Sequence, residues 1–154
     1  MGAVTPAAFP TSGTILTAAE YNKLPRGVVY YNLVTANQNG ISTVADITSM
    51  TAATWTATST RTYRTTVYLP YVQQKTSAGT VVARITDASN VDKQQWNGTM
   101  ATSDFFAVVM QVIETGLSGS ITRKARIATS AGTIDITQSS TAPGFIMVED
   151  VGAA

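Results

Sequence analysis

The sequence predicts an all-β protein, an antiparallel β-sandwich or jelly-roll-like domain with an extended N-terminal arm and one short N-terminal helix. Thr is its commonest residue, with Val, Ala and Ser behind it, and the β-branched side chains of Thr and Val fit a pleated sheet. Turn signals every ~8–12 residues separate about nine or ten short runs, as in sandwiches and jelly rolls. Because no helical crossover joins these runs, we expect mainly antiparallel sheets.

The chain is predicted to consist of a docking segment, residues 1–27, and one sandwich domain, residues 28–154. Its 154 residues suit a single domain with a proper core. The docking segment begins with a Pro-containing arm that has no periodicity. Thr17 and Glu20 then form a capping box, which predicts a short helix that ends at Pro25.

The strongest strand signal is the nearly unbroken apolar run at residues 105–113. It is apolar on both faces, so it predicts a central strand covered by a second sheet on one face and by loops or a neighbouring subunit on the other. Pro70 restricts the end of its strand to an edge or a bulge. Asn39-Gly40 and Asn97-Gly98 predict turns. The other predicted strands are 28–34, 44–50, 54–58, 61–72, 80–86, 91–96, 121–129, 133–137 and 144–149.

Composition excludes several classes of function. Only 12% of residues are charged and the net charge is +1, which argues against nucleic-acid binding through a basic surface. The chain contains no Cys and no His, so disulfides, thiolate chemistry, His-dependent triads and His metal sites are excluded. No apolar run approaches the ~20 residues of a membrane span, and no secretory signal is present.

The carboxylates give little sign of catalysis or metal binding. Glu149 and Asp150 are the only adjacent pair, and neighbours on a strand point to opposite faces, so they should not form a catalytic dyad. Asp87, Asn90 and Asp92 could offer oxygens to Ca²⁺, but the spacing lacks the Gly and the distal Glu of a calcium loop. We therefore expect no enzyme activity, no metal and no cofactor.

Two further groups of side chains have structural interpretations. Arg123, Lys124 and Arg126 form the only basic cluster, and alternation places Arg123 on one face and the other two on the opposite face. A solvated face or an intersubunit salt bridge is favoured over a phosphate site. Aromatic residues in strands belong to a core or an interface more often than to a sugar-stacking platform. Those in question are Tyr30, Tyr31, Trp55, Tyr63, Tyr68, Tyr71 and Trp96.

Three stretches carry a resemblance to a known group of proteins. Residues 13–28 follow the form G-T-(V/I)-L-T-A-x-x-x-N-x-L-P-R-G-(V/I), and residues 144–152 follow x-(F/Y)-(I/L)-x-V-E-D-(I/V)-G. Residues 61–64 match an Arg-x-Tyr-(R/K) strand. In these stretches the chain resembles small virion proteins of tailed phages of actinobacteria, which carry a Thr-rich β-domain between the two end motifs.

The resemblance implies a structural, non-enzymatic virion protein, and we expect it on the capsid surface, although the motifs themselves do not fix its place in the particle. It implies a capsid decoration or minor capsid protein that binds the major capsid protein and forms a homotrimer, with neither nucleic acid nor membrane as a partner. A minor tail or fibre protein, or a carbohydrate- or host-surface-binding module, remains the alternative. An extended arm and exposed sheet edges suit docking on neighbours. The residues expected to dock are Phe9, Ile15, Leu16, Tyr21, Leu24 and Arg26.

Overall fold

The computed structural model of the chain describes residues 18–154. Over these residues one helical turn, α1 (Ala18–Tyr21), precedes a set of β-strands. A turn of four residues does not show the predicted helix, and the predicted arm and the capping residue Thr17 lie outside the described residues. The strands are β1 (Gly27–Val34), β2 (Gln38–Ile41), β3 (Ala45–Asp46), β4 (Ala53–Ala57), β5 (Arg61–Gln74), β6 (Gly79–Asp87), β7 (Asp92–Met100), β8 (Phe105–Glu114), β9 (Gly119–Thr129), β10 (Ile134–Ile136) and β11 (Gly144–Ala153).

The strands form two antiparallel sheets, as predicted. In the first, called sheet A, β11 and then β10 lie along one edge of β5, and β8 lies along the other edge. β1 pairs with β11, and β2 pairs with β10. In sheet B, β9 lies between β6 and the short strands β3 and β4, and β7 pairs with the far edge of β6.

The eight main strands pair in a nested order. The first pairs with the last, β1 with β11. Moving inward along the chain, β4 pairs with β9, β5 with β8, and β6 with β7. Two further pairings, β11 with β5 and β9 with β6, close these ladders into sheets A and B. The chain therefore forms one long hairpin that is folded over on itself.

The core lies between the two sheets and is built by alternation along their strands. On β6, Val81, Ala83 and Ile85 are fully buried, as the alternating pattern predicts. Val67 on β5 and Ile146 on β11 meet them from sheet A within the same buried cluster. Since each strand offers one apolar face to this cluster, the two sheets are consistent with the predicted sandwich.

The run at residues 105–113 is a strand, but its predicted central position is wrong. Among the described strands, β8 pairs with β5 only, so it is an edge strand of sheet A. Val108 and Met110 point into the core, whereas Phe105, Val109 and Ile113 point outward and are exposed. Within the described residues, no second sheet covers the other apolar side of this strand, where Tyr71 of the neighbouring β5 stacks on Phe105 with ring centroids 4.6 Å apart.

Pro70 occupies a bulge, as predicted. Leu69 pairs with Val108 and Val72 pairs with Phe106, so Pro70 and Tyr71 on β5 lie opposite a single residue of β8. A bulge tolerates Pro because the ladder is already interrupted there and its missing N–H breaks no hydrogen bond.

Neither Asn-Gly dipeptide forms the predicted hairpin turn. Asn39-Gly40 lies within β2, where Ile41 pairs with Ile134 and Gln38 with Ile136, so the dipeptide opposes Asp135 as a bulge. Gly40 has a φ of 70°, which costs glycine little, and its N–H donates to the Asp135 carboxylate at 2.8 Å. The dipeptide therefore marks an inserted residue in a strand.

Asn97-Gly98 lies inside β7, which continues through it to Met100. Gly98 leaves room for an aromatic pair, because a Cβ on it would lie 2.3 Å from Cη2 of Trp96 and 3.0 Å from Cζ of Phe106, so that the Trp96 ring would have to shift. Those two rings pack edge to face with centroids 4.7 Å apart. Glycine inside a strand can mark such a close approach as well as a turn.

Adding a methyl group at Gly98 should destabilise the fold through Trp96. We expect Gly98→Ala to lower the free energy of unfolding by about 1–3 kcal/mol, the usual cost of overpacking, measured by urea denaturation. In a Trp96→Leu background, which vacates the position of Cη2, the cost should fall by more than half. An equal cost in both backgrounds would show that the ring does not impose the glycine.

Candidate functional site

The two ends of the described chain meet at one end of sheet A. Gly27 at the start of β1 pairs with Asp150 on β11, and Ala153 near the end of β11 pairs with Arg61 at the start of β5. The first, third and last of the main strands therefore bring residues 22–27, 61–64 and 149–153 together. We call this cluster the end junction.

A buried ion pair lies at the centre of the end junction. Arg61 Nε donates to Asp150 Oδ2 at 2.7 Å, and Arg61 Nη2 donates to Asp150 Oδ1 at 2.5 Å. Arg61 is 3% exposed and Asp150 2% exposed. Such a bidentate pair fixes both position and orientation. It therefore joins the start of β5 rigidly to the end of β11.

The same guanidinium holds the segment that leads to the N-terminal arm. Arg61 Nη1 donates to the carbonyl of Asn22, and Arg61 Nη2 donates to the carbonyl of Leu24 at 2.7 Å. The N–H of Ala153 donates to the carbonyl of Lys23 at 3.2 Å. Three successive carbonyls are thus bound to the sandwich, which sets the path of the chain before β1.

The electrostatics of the end junction keep Asp150 ionised. Burial alone would raise the pKa of its carboxyl group, but the hydrogen bonds from Arg61 and from the N–H of Gly152, together with the charges of Arg61 and Arg26, outweigh burial. The pKa of Asp150 therefore lies below its ordinary value of 3.8.

A second ion pair lies beside the first, on the outer side of sheet A. Arg64 Nη2 is 2.8 Å from Glu149 Oε2, and both side chains are partly exposed. Glu149 and Asp150 thus point to opposite faces of β11, as predicted, and each has its own arginine. The two carboxylates therefore form separate ion pairs on opposite faces of β11 and are not placed as a catalytic dyad.

The predicted docking residues fall into two groups. Tyr21, Leu24 and Arg26 are exposed and, with Pro25, line a surface depression on the solvent-facing side of the end junction. Phe9, Ile15 and Leu16 lie outside the described residues. Since Arg61 fixes the carbonyl of Leu24 while the Leu24 side chain faces outward, the depression has a fixed backbone beneath it.

The contact between Arg61 and Asp150 was not predicted from the sequence, although both residues lie in stretches that carry the resemblance. The alternation of side chains along the two strands contained a signal for this contact. Arg61 shares its inward face with Tyr63 and Val67 on β5, and Asp150 shares its inward face with Val148 on β11. Opposite charges at core-facing positions of two strands predict a buried pair, because an unpaired buried charge is costly.

The basic cluster is paired within the chain. Arg123 makes a bidentate contact with Glu114 at 2.8 and 2.6 Å, and its guanidinium lies 5.8 Å from the Trp55 ring centroid. Lys124 and Arg126 contact Asp46 from the other side of β9, at 3.2 and 2.7 Å. The predicted division between two faces is confirmed, and the structure gives these pairs as intrachain contacts.

The two carboxylates considered as Ca²⁺ ligands are also paired within the chain. Asp87 Oδ1 accepts hydrogen bonds from the N–H groups of Ser89 and Val91, and Oδ2 lies 3.0 Å from Lys93 Nζ. Asp92 pairs with Arg84 at 3.3 Å. Residues 18–154 contain no group of three or more acidic side chains placed to hold a metal ion, and α1 is too short to cross a membrane.

The aromatic residues considered for sugar stacking do not form one platform. Trp55 and Tyr63 are buried in the core. The exposed rings of Tyr31 and Phe105 lie on opposite edges of sheet A. Tyr31 is in register with Gln111 across the sheet, and Phe105 is a further ~20 Å along the strand at the usual rise per residue. Rings do lie next to one another on this sheet, since Phe145 packs against Tyr31 and Tyr68, and Tyr71 stacks on Phe105. In each group, however, only one ring is exposed and the others are half-buried.

Comparisons with known proteins give no family. No protein-family model matches the chain, and no curated protein matches it. It is similar in structure to a pilus protein of Bacillus endospore appendages, with 13% identity and a TM-score of 0.41 over 90% of this chain and 98% of that one.

Two further similar structures come from viruses. One is a chain from the tripod of the bacteriophage Tuc2009 baseplate, with 13% identity and a TM-score of 0.41 over 97% of this chain and 76% of that one. The other is a protein of infectious bursal disease virus, with 12% identity and a TM-score of 0.39. It matches 97% of this chain, which spans 43% of the viral protein. At these TM-scores the likenesses carry no argument about function.

Neutralising Asp150 in the buried pair should lower the stability of the fold far more than neutralising Glu149 in the partly exposed pair beside it. We expect Asp150→Asn to lower the free energy of unfolding by about 3–5 kcal/mol, because it leaves the Arg61 charge buried without its partner. The matched control, Glu149→Gln on the partly exposed pair, should cost about 0–1 kcal/mol. Similar costs in chemical denaturation of the two variants would contradict the assigned role of Arg61.

The same pair should make stability depend on acid pH. Because the pKa of Asp150 is lowered on folding, its contribution is complete above the unfolded value near 3.8 and is lost as pH falls through the lower folded value. The stability difference between wild type and Asp150→Asn should be constant from pH 7 to 5 and shrink below about pH 4. A difference that stays constant down to pH 2 would argue against a lowered pKa.

Proposed function

We propose that this chain is a structural, non-enzymatic virion protein of a tailed phage that decorates and reinforces the head shell. The observation that carries the proposal is the end junction. All three stretches that resemble phage virion proteins meet there, at residues 22–27, 61–64 and 149–152. Residues that are far apart in sequence thus act together to hold the end of the N-terminal segment, residues 22–24, against the sandwich.

The strand order supports a jelly roll, a fold used by viral capsid domains. Numbered along the chain, the eight main strands pair first with last, second with seventh, third with sixth and fourth with fifth. Folding such a nested hairpin over gives two sheets of four strands connected as Greek keys. This topology is compatible with several functions, so it supports the proposal only together with the end junction.

The docking surface that we propose is the N-terminal segment, through Phe9, Ile15, Leu16, Tyr21, Leu24 and Arg26. Its partner is the major capsid protein. Exposed apolar side chains on a fixed backbone lose little conformational freedom on binding, and Leu24 is held in that way by Arg61. Arg26 brings a positive charge that suits a carboxylate on the shell. We propose a homotrimer as the bound form.

A sugar-binding module has less support, because the two most exposed rings of sheet A are far apart and the rings beside them are half-buried. A protein on the tail or a fibre would differ from one on the shell only in the partner that it binds. Imaging of particles therefore has to distinguish these two locations. Cryo-electron microscopy of intact particles from the source phage should show this chain on the head, with its N-terminal segment against the shell. Density on the tail alone would replace decoration by the tail alternative, and absence from the particle would overturn both.

The docking residues have a direct test on particles that lack this chain. Purified protein should co-sediment with such particles, and Leu24→Glu should weaken this binding at least ~10-fold, because it places a charge in an apolar contact. The matched control is Val44→Glu, at a position of similar exposure outside the segment. Equal binding by the two variants would contradict docking through Leu24.

A further inference from the structure

The outer face of sheet A is a largely apolar exposed surface, with a polar contact on it where Gln111 Nε2 donates to Thr66 Oγ1 at 3.2 Å. Its outward side chains come from β1, β11, β5 and β8, and one row crosses all four strands as Leu33, Phe145, Tyr68 and Val109. The Phe145 ring lies between the rings of Tyr31 and Tyr68, at 6.0 and 5.5 Å. We call this surface the apolar face. Its most exposed members are Tyr31 at 52%, Leu33 at 46%, Phe105 at 60%, Val109 at 57% and Ile113 at 64%.

The opposite outer face of the same sandwich has an ordinary solvent-facing composition. On sheet B, Thr54 and Thr122 share a hydrogen bond of 2.9 Å between their hydroxyl groups. Lys124 and Arg126 pair with Asp46 on that side. Since both outer faces belong to one small domain, the contrast shows that the apolar face does not follow from a general lack of polar residues.

Charge is depleted on the apolar face. Among the outward side chains of its four strands, the charged ones are Arg64 and Glu149, and they neutralise each other at 2.8 Å. Depletion of charged residues with retention of aromatic ones is typical of the centre of a protein–protein interface. The face therefore offers no net charge that would attract a strongly charged partner.

The size of the apolar face suits a stable contact. From the exposed fractions of its side chains, the exposed apolar area is roughly 600 Å², at the upper end of the patches found on monomers. A standard interface buries about 800 Å² on each partner, and about 65% of a homodimer interface is apolar. The face therefore offers about as much apolar area as one side of such an interface needs.

We infer that the apolar face is the surface through which copies of this chain pack against one another. A second copy fits for two reasons: it supplies an equally flat and apolar surface, and it needs no net charge of opposite sign. In the proposed homotrimer the contact is heterologous, so the β1 side of this face on one copy packs against the β8 side of the face on the next copy around the three-fold axis. The inference rests on the proposed homotrimer and assigns its contact surface.

The test is the oligomeric state of the purified full chain, measured by sedimentation velocity from about 1 to 100 µM. The wild type should be oligomeric across this range. Val109→Glu should shift the equilibrium to monomer by at least ~100-fold in dissociation constant, because an unpaired carboxylate in an apolar contact is costly. Val91→Glu is the matched control, since Val91 is 54% exposed and lies in the turn between β6 and β7, away from sheet A. It should leave the oligomer intact.

A second variant, on the opposite edge of the apolar face, ensures that the test does not depend on whether Val109→Glu folds. Tyr31→Lys on β1 should dissociate the oligomer as Val109→Glu does, with circular dichroism confirming that both remain folded. A wild type that is monomeric at 100 µM would overturn the inference, as would oligomers that survive both substitutions. Absence of the chain from phage particles would overturn the proposed function alone, because self-association is measured without them.

Discussion

The arrangement of this protein depends on the buried contact between Arg61 and Asp150. Removing both charges from water costs several kcal/mol for each ion, and the structure offsets that cost by giving each of them several hydrogen bonds. The carboxylate accepts from two guanidinium nitrogens and from the N–H of Gly152. The guanidinium also binds two carbonyls of the segment before β1. As a result, the start of β5, the end of β11 and the base of the N-terminal segment hold a single geometry.

Alternation along strands is local, which is why the sequence predicted most of the fold. Val81, Ala83 and Ile85 were placed on one face by their spacing alone, and they are buried. Pairing between strands is not local, and here the prediction for residues 105–113 was wrong. A strand that is apolar on both sides carries the same pattern whether its second side is covered by its own chain or left exposed. The sequence pattern therefore showed that both sides of this strand are apolar, but it could not show that the strand lies at the edge of a sheet.

The two Asn-Gly dipeptides show a second limit. Glycine at these positions is demanded by backbone conformation or by lack of space, and neither demand is specific to a turn. Gly40 has positive φ within a bulge and donates to Asp135, whereas Gly98 gives room to Trp96. The first reason involves Asp135, 95 positions away, and the second depends on how the Trp96 ring packs against Phe106 on β8. The same holds for the end junction, where Arg61 and Asp150 were visible as motif residues but their contact spans 89 positions.

The end junction and the apolar face lie on the same sheet. Sheet A carries the segment proposed to dock on the shell and the face proposed to pack against other copies. Sheet B has an outer face of paired charges and threonine hydroxyls, which is stable against water without a partner. A protomer with this division can bind the shell and its neighbours through one sheet while the other faces solvent. The division therefore gives a physical reason for the unequal composition of the two outer faces, which a free monomer would not need.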